Sequence, residues 1–210
     1  MDWVAWHEGY ADPTTRIAQR LPVVQAHVRS FLDRCGAPAV RAVSLCSGSG
    51  ADFLPVLVDH PTGRRVRARL VESDAELAAR AREAARASGL EGVEVVTGDA
   101  STTDAFEGAV PADLVLVCGV FGNIPDDDVE RTIRTLPQLC SEGATVIWTR
   151  HRAEPDLTPS IRSWLVKTGF VELAFDSSGT GGFAVGSHEF RGEPQRLQSG
   201  VRLFTFTRRS

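Results

Sequence analysis

A histidine side chain can exchange a proton near neutral pH, and two of the five histidines in the sequence lie in segments that suit catalysis. His151 follows an apolar run typical of a strand and stands between Arg150 and Arg152, either of which can hold an acidic group. His188 stands next to Glu189 in a glycine-rich stretch. Both histidines are therefore candidate general bases, and a solvated loop position is the alternative for each.

A run of small residues follows the first apolar stretch, residues 40–46, and consists of Ser47, Gly48, Ser49 and Gly50. Glycine there lets the backbone turn tightly and approach a ligand closely. The free N–H groups at the start of a following helix favour an anion or a polar nucleoside tail. The pattern predicts a ligand-binding bend, with a plain strand-to-helix turn as the alternative.

Glu72 ends the second apolar run and lies about 20 residues beyond Gly50, the spacing at which an acid binds a ribose diol in nucleotide-binding folds. A carboxylate that interacts with the positive end of a helix dipole is the alternative. Ser73 and Glu76, however, predict a capping box for the helix that follows. Because Ser73 already caps that helix, the sequence favours the ribose-binding role for Glu72.

The third and fourth apolar runs end in further candidate ligand residues. Asp99 and Ala100 follow the third run, where a carboxylate can accept a hydrogen bond from an adenine amino group; a cap on a short helix is the alternative. Cys118 and Gly119 end the fourth run and suit the flank of an adenosine ring, with close packing of strand and helix as the alternative. Ligands of open α/β sheets bind beyond the carboxyl ends of the strands, so these residues are expected at one edge.

Alternating strands and helices must position these side chains. The apolar runs typical of strands cover residues 40–46, 66–71, 93–96, 113–118 and 144–149. The predicted helices run from Asp12 to Cys35, over residues 74–88, and onward from Asp126. This alternation predicts an α/β fold with a mostly parallel sheet and helices on both faces.

Three details of this scaffold are expected from local signals. Asp12 is predicted to cap the first helix, and Pro22 to kink or split it. Residues 170–176 and 201–208 read as the last two strands, which no helix pattern separates. They are therefore expected to pair antiparallel through the long glycine-rich loop 177–200.

The composition excludes several classes of protein. The chain of 210 residues carries a net charge of −4, which gives no basic footprint for nucleic acid. Its four cysteines form no CxxC pair, so the sequence predicts reduced thiols, a cytoplasmic location and no zinc site. No apolar run approaches about 18 residues, so no membrane partner is predicted. The acids Asp126–Asp128 are better explained by a helix dipole than by a metal.

The sequence divides into an N-terminal helical arm, residues 1–36, and a main domain, residues 37–210. Trp3, Trp6, His7 and Tyr10 lie near the start of the arm, where exposed aromatic side chains are unfavourable. They are expected either to close over the ligand as a lid or to fix the arm to the core. Tyr10 is the candidate for the lid.

These features, in this order, resemble the class I S-adenosylmethionine-dependent methyltransferases, over about residues 38–208. In that family the first strand ends in an acid-x-Gly-x-Gly-x-Gly motif, and Gly48 and Gly50 match it. Ser44 stands where the family has an acid that orients the methionine amine, and Cys46 stands where it has the first glycine. The resemblance therefore implies that other residues hold the amine, or that the cofactor binds weakly.

The resemblance also implies a seven-stranded Rossmann-like sheet with strand order 3-2-1-4-5-7-6 and an antiparallel last strand. It implies S-adenosylmethionine as cofactor, with Glu72 on the ribose and Gly98-Asp99-Ala100 near the adenine. The full set of candidate cofactor residues is Tyr10, Cys46, Ser47, Gly48, Ser49, Gly50, Glu72, Ser73, Asp99, Ala100, Cys118 and Gly119.

The expected reaction is methyl transfer to a small molecule. The segment 121–125 lacks the Pro-Pro-aromatic motif of methylases that act on exocyclic base nitrogens. A nucleotide-binding oxidoreductase is disfavoured because Phe53 stands where its third glycine is required. A non-catalytic relative that binds adenosine compounds or a protein partner stays open, because of Ser44 and Cys46.

Overall fold

A seven-stranded sheet forms the centre of the chain in the computed structural model, which describes Val4 and residues 8–207. Its order is β3-β2-β1-β4-β5-β7-β6, and β7 runs antiparallel to both of its neighbours. The predicted fold class and strand order are thus confirmed. The strands are β1 (Val40–Leu45), β2 (Val66–Glu72), β3 (Val93–Thr97), β4 (Ala112–Val117), β5 (Cys140–His151), β6 (Phe170–Ser177) and β7 (Phe183–Phe190).

Helices cover both faces of the sheet. One face packs against α1 (Arg16–Arg34), α2 (Leu54–Asp59) and α3 (Ala75–Ala87), and the other against α4 (Asp126–Thr135) and α5 (Thr158–Lys167). The apolar residues of each strand alternate between these two cores, as the pleat of a strand requires. In β1, for example, Ala42 faces the first core and Val43 the second.

The N-terminal helix begins later than the sequence predicts. Thr15, not Asp12, caps α1, and its Oγ1 accepts a hydrogen bond from Ala18 N at 3.2 Å. Asp12 instead closes the preceding turn by accepting from Thr14 N at 2.9 Å. Pro22 lies inside α1 without splitting it. Proline removes one backbone hydrogen bond from the helix. Burial of the apolar face of α1, where Val28 is fully buried, compensates for this loss and keeps the helix continuous.

The cap of α3 is also not the predicted one. Asp74 Oδ1 accepts from Glu76 N at 2.9 Å and Leu77 N at 3.0 Å, so Asp74 is the N-cap. Ser73 lies one residue too early, and its Oγ instead lies 3.5 Å from Glu72 Oε1. The predicted Ser73–Glu76 capping box is therefore wrong, and an acid at the next position takes its role.

The predicted position of the last strand, residues 201–208, is wrong. β7 lies within the predicted loop and follows β6 after the short turn 178–182, whereas residues 201–207 form an extended segment with one isolated bridge, Thr102 to Arg202. In the sequence, Gly186 is typical of a loop. In the structure it lies in the strand, where a side chain would collide with the Trp148 ring. Because β7 lies between two strands and both its faces are covered, its residues do not alternate in polarity.

His188 is consequently a buried strand residue and not the loop residue that the sequence predicted. It lies in the interior of β7 opposite Val146, with none of its surface exposed. Its Nδ1 accepts a hydrogen bond from Trp148 Nε1 at 3.3 Å, and its Nε2 lies 3.5 Å from Glu172 Oε2. Burial lowers the pKa of His188 to about 4, although the charge of Glu172 opposes the shift. With no exposed surface, His188 has no face through which a ligand contacts it in this structure.

Candidate functional site

The bend after β1 adopts a backbone conformation that suits glycine. Gly48 and Gly50 have positive φ values of 56° and 76°, and Cys46 has a φ of 53°. Cys46 is the one non-glycine among the described residues with such a value. A side chain in this region costs about 1–2 kcal/mol. Cys46 thus has a conformation typical of glycine, the residue that the family resemblance implies at this position.

Glu72 lies beside this bend, as its spacing predicted. Its Oε2 accepts a hydrogen bond from Gly48 N at 2.7 Å, and its Oε1 accepts from Asp74 N at 2.9 Å. The carboxylate is buried and connects the bend to the start of α3. Each carboxylate oxygen has two lone pairs, so the two N–H groups leave acceptor capacity for a ligand hydroxyl. The ribose-binding role stays a prediction.

A narrow cleft opens between the bend, the end of β2 and the end of β4. Seven of the predicted cofactor residues line it, and they are Tyr10, Cys46, Ser47, Glu72, Ser73, Cys118 and Gly119. Arg20, Asp52, Leu77 and Phe206 complete the lining. Ser47 Oγ is buried and has no hydrogen-bond partner among the described residues. An orphaned hydroxyl in a cleft is a feature that a bound polar ligand would satisfy.

Five predicted residues do not line the narrow cleft. They are Gly48, Ser49 and Gly50 in the bend, and Asp99 and Ala100 after β3. Asp99 Oδ1 accepts from Ser101 N at 2.8 Å, which is the turn-closing alternative. Ala100 is buried in the core. Burial raises the pKa of the Cys46 thiol, and the charges of Glu72 and Asp99 raise it further. Asp99 is therefore close enough to the bend for its charge to act on Cys46.

Asp52 and Arg20 are the charged residues of the narrow cleft that the sequence did not reveal. Burial and then the charge of Asp52 raise the pKa of Tyr10 to about 12, against the opposing effect of Arg20, which is also its hydrogen-bond partner. Burial and then the charge of Asp52 likewise raise the pKa of the Cys118 thiol. Tyr10, Arg20, Asp52 and Cys118 thus form one interacting cluster. The position of Asp52, two residues after Gly50, is the feature of the sequence that could have indicated its place in the cleft.

The narrow cleft is small. Its cavity measures about 40 Å³, against about 300 Å³ or more for pockets that enclose a typical small ligand. Tyr10 and Phe206 lie among its walls and belong to segments at the two ends of the chain. A nucleoside can therefore enter only if such a wall moves outward. Trp3, Trp6 and His7, the other residues of the expected lid, lie outside the described part of the chain.

A larger cavity of about 250 Å³, the arginine-lined cavity, adjoins the narrow cleft and shares Arg20 and Gly119 with it. The other residues that line it are Arg16, Ile17, Gly122, Asn123, Thr149, Arg150, His151, Ala153, Gly182 and Phe183. Gly119 N donates to Thr149 Oγ1 at 2.9 Å, and Gly119 O accepts from Asn123 Nδ2 at 2.7 Å. These contacts fix the shared wall.

His151 lies where the sequence predicted, at the carboxyl end of β5 and in the wall of the arginine-lined cavity. Its Nδ1 accepts a hydrogen bond from Ala153 N at 3.3 Å. Arg150, also in the wall, is buried and donates to Phe121 O and, at 3.2 Å, to Asp126 Oδ1. Arg152 does not line the cavity, and Asp156 pairs with it at 2.9 Å.

The chain has the fold of the class I S-adenosylmethionine-dependent methyltransferases. Magnesium protoporphyrin IX methyltransferase from Synechocystis PCC 6803 superposes with a TM-score of 0.67 in its S-adenosylmethionine complex, at 14% identity over 90% of each chain. Its S-adenosylhomocysteine complex gives 0.68, at 14% identity over 90% of this chain and 93% of that one. An O-methyltransferase family protein from Burkholderia thailandensis gives 0.59, at 18% identity over 90% of this chain and 61% of that one.

At the level of sequence, no protein-family model and no curated protein matches the chain. The likeness is therefore one of fold. In the described residues, no helix has the length and apolar character needed to cross a membrane.

Proposed function

We propose that this protein transfers a methyl group from S-adenosylmethionine to a small-molecule acceptor. The observation that carries the proposal is the pairing of two adjoining sites, which share the wall residues Arg20 and Gly119, at the carboxyl edge of the sheet. The narrow cleft holds the carboxylates Glu72 and Asp52, and the arginine-lined cavity lies directly beyond Gly119. A cationic nucleoside and a separate acceptor would meet at that shared wall.

The residues of the narrow cleft fit the proposed cofactor. Glu72 has acceptor capacity left for a ribose diol, and the buried Ser47 hydroxyl lacks a partner among the described residues. Ser44 has an uncharged hydroxyl and is buried within β1, so it does not supply the negative charge that the methionine amine needs. Asp52 lies in the cleft and offers that charge. In this proposal Asp52 takes the role of the acid that the bend itself lacks.

S-adenosylmethionine supplies a sulfonium methyl group, whose carbon bonds to an acceptor lone pair while the C–S electrons stay on sulfur. The chain has to align the acceptor and exclude water. Tyr10, in this proposal, closes over the methionine end once the ligand is in place. His151 accepts a proton if the acceptor carries one, so His151→Ala is expected to slow turnover without unfolding the domain.

A second candidate function is a non-catalytic relative that binds an adenosine compound or a protein partner. Ser44 at the position of the family's acid favours this candidate, and the small volume of the narrow cleft, about 40 Å³, favours its protein-binding form. The two candidates differ in whether a methyl group leaves the cofactor.

The test is incubation of the purified protein with methyl-labelled S-adenosylmethionine and fractionated metabolite pools, with products separated by mass. The proposal expects one labelled product whose formation is lost in Glu72→Gln. The control variant is Glu76→Gln, an exposed acid on α3 that pairs with Arg80. Binding of the cofactor without any labelled product would favour the non-catalytic relative.

A further inference from the structure

The arginine-lined cavity has a charge that the narrow cleft does not share. Arg16, Arg20, Arg150 and His151 all contribute to its walls, and no aspartate or glutamate is among its described lining residues. In contrast, the narrow cleft contains Glu72 and Asp52. The two halves of the site therefore differ in the charge of the ligand that they favour.

Arg16 is the cation with the least compensation. It lies in the first turn of α1, and its Nη1 donates to Gly181 O at 2.8 Å, in the turn between β6 and β7. Among the described residues, no carboxylate lies within 4.0 Å of its guanidinium group. The contact with Gly181 positions the side chain and leaves other donors of its guanidinium fork available for a ligand.

Arg150 supplies a second, independent observation. It is 8% exposed, and its Nε has no hydrogen-bond partner among the described residues. Its two terminal nitrogens are engaged by Phe121 O and by the half-exposed Asp126. Leaving a buried donor of a charged group unpaired is unfavourable, which a ligand acceptor would correct.

We propose that the arginine-lined cavity binds a small organic acid as the methyl acceptor, with its carboxylate held by Arg16 and beside Arg150. This inference rests on the proposed methyl transfer and names the class of its acceptor. A guanidinium fork binds a planar carboxylate through two parallel N–H bonds, which gives orientation as well as affinity. A volume of about 250 Å³ suits one small molecule rather than a peptide or a polymer.

The experiment titrates the protein, saturated with S-adenosylhomocysteine, with small carboxylic acids and their primary amides in a calorimeter. Benzoate, salicylate, phenylacetate, hexanoate and succinate form the panel, and phenyl phosphate is an additional probe. At least one acid is expected to bind ten times more tightly than its uncharged amide. Arg16→Gln is expected to weaken that binding at least fivefold and to leave the affinity for S-adenosylhomocysteine within twofold.

Arg29→Gln is the matched control, because Arg29 is an exposed arginine of α1 that lines neither site. It is expected to leave both affinities unchanged. Equal binding of acids and amides, no binding by any acid, or preferential binding of phenyl phosphate would overturn the acid proposal while S-adenosylhomocysteine still binds. A loss of S-adenosylhomocysteine binding in Arg16→Gln would assign Arg16 to the cofactor instead. If the wild-type protein does not bind S-adenosylhomocysteine, the proposed function fails as well.

Discussion

At the scale of single residues, Glu72 has two tasks that a substitution can separate. Its carboxylate accepts N–H groups from Gly48 and from Asp74, so it maintains the shape of the bend as well as offering acceptors to a ligand. Its position was predictable, because an acid at the end of the second strand meets the bend after the first. Its contacts with the backbone were not, since spacing alone does not define hydrogen bonds.

Glu72→Gln is expected to weaken binding of S-adenosylhomocysteine at least tenfold. The amide keeps the size of the side chain but has one acceptor oxygen, so an N–H of Gly48 or Asp74 then faces an NH₂ group. An unpaired buried donor costs about 1–3 kcal/mol, which is also the expected loss in the free energy of unfolding. Calorimetry and urea denaturation measure the two quantities.

Glu76→Gln serves as the control, because this acid is exposed and forms an i,i+4 pair with Arg80. It is expected to change the affinity by less than twofold. An affinity of Glu72→Gln equal to that of the wild type would remove Glu72 from the binding site.

At the scale of elements, apolar periodicity predicted β1 to β6 and the helices α1, α3 and α4, but it did not predict their ends, and it did not reveal β7, α2 or α5. The Ser73–Glu76 capping box and the Asp12 cap both matched sequence rules, yet Asp74 and Thr15 perform these roles. Neighbouring residues with equal capping chemistry compete, and backbone geometry decides between them. β7 was missed because Gly186 and His188 are buried partners of Trp148, and burial of that kind is not visible in a sequence.

Asp74→Ala is expected to lower the free energy of unfolding by about 1 kcal/mol, the usual effect of removing an N-cap acceptor. The N–H groups of Glu76 and Leu77 lose their partner in this variant. Urea denaturation at 25 °C measures the change. Ser73→Ala is the matched comparison and is expected to have a smaller effect; a larger loss in Ser73→Ala would restore the capping box.

At the scale of the whole molecule, alternating strands and helices predicted the α/β class, whereas the strand order came from the family resemblance and the last strand was placed in the wrong segment. The site was predicted in part. Residues at strand ends were found, since the topology brings those ends together at one edge. Asp52, Arg20 and Arg16 were missed, because a bend residue and a helix face enter the site through tertiary packing. The same packing buries His188 across the sheet.

The stability of the whole fold is expected to depend on the protonation of His188. Its pKa is about 4 in the folded protein, below the ordinary value of about 6.5. Its contribution to the free energy of unfolding is therefore present above pH 6.5 and is lost as the pH falls toward 4. Between pH 7 and pH 5 this amounts to about 2 kcal/mol of unfolding free energy. Urea denaturation across this range measures the slope.

His188→Asn is expected to reduce that slope, since asparagine does not titrate. The comparison with the wild type isolates His188 from the other titrating groups of the fold. Identical slopes for the two proteins would show that His188 does not control the acid sensitivity.

The central claim is that an S-adenosyl nucleoside binds at the carboxyl edge of the sheet, in the narrow cleft lined by Glu72 and Ser47. Calorimetric titration of the wild-type protein with S-adenosylhomocysteine, and in parallel with NADH, tests it most directly. The account predicts one bound S-adenosylhomocysteine per chain and no heat from NADH. Saturation by NADH without any binding of S-adenosylhomocysteine would contradict it.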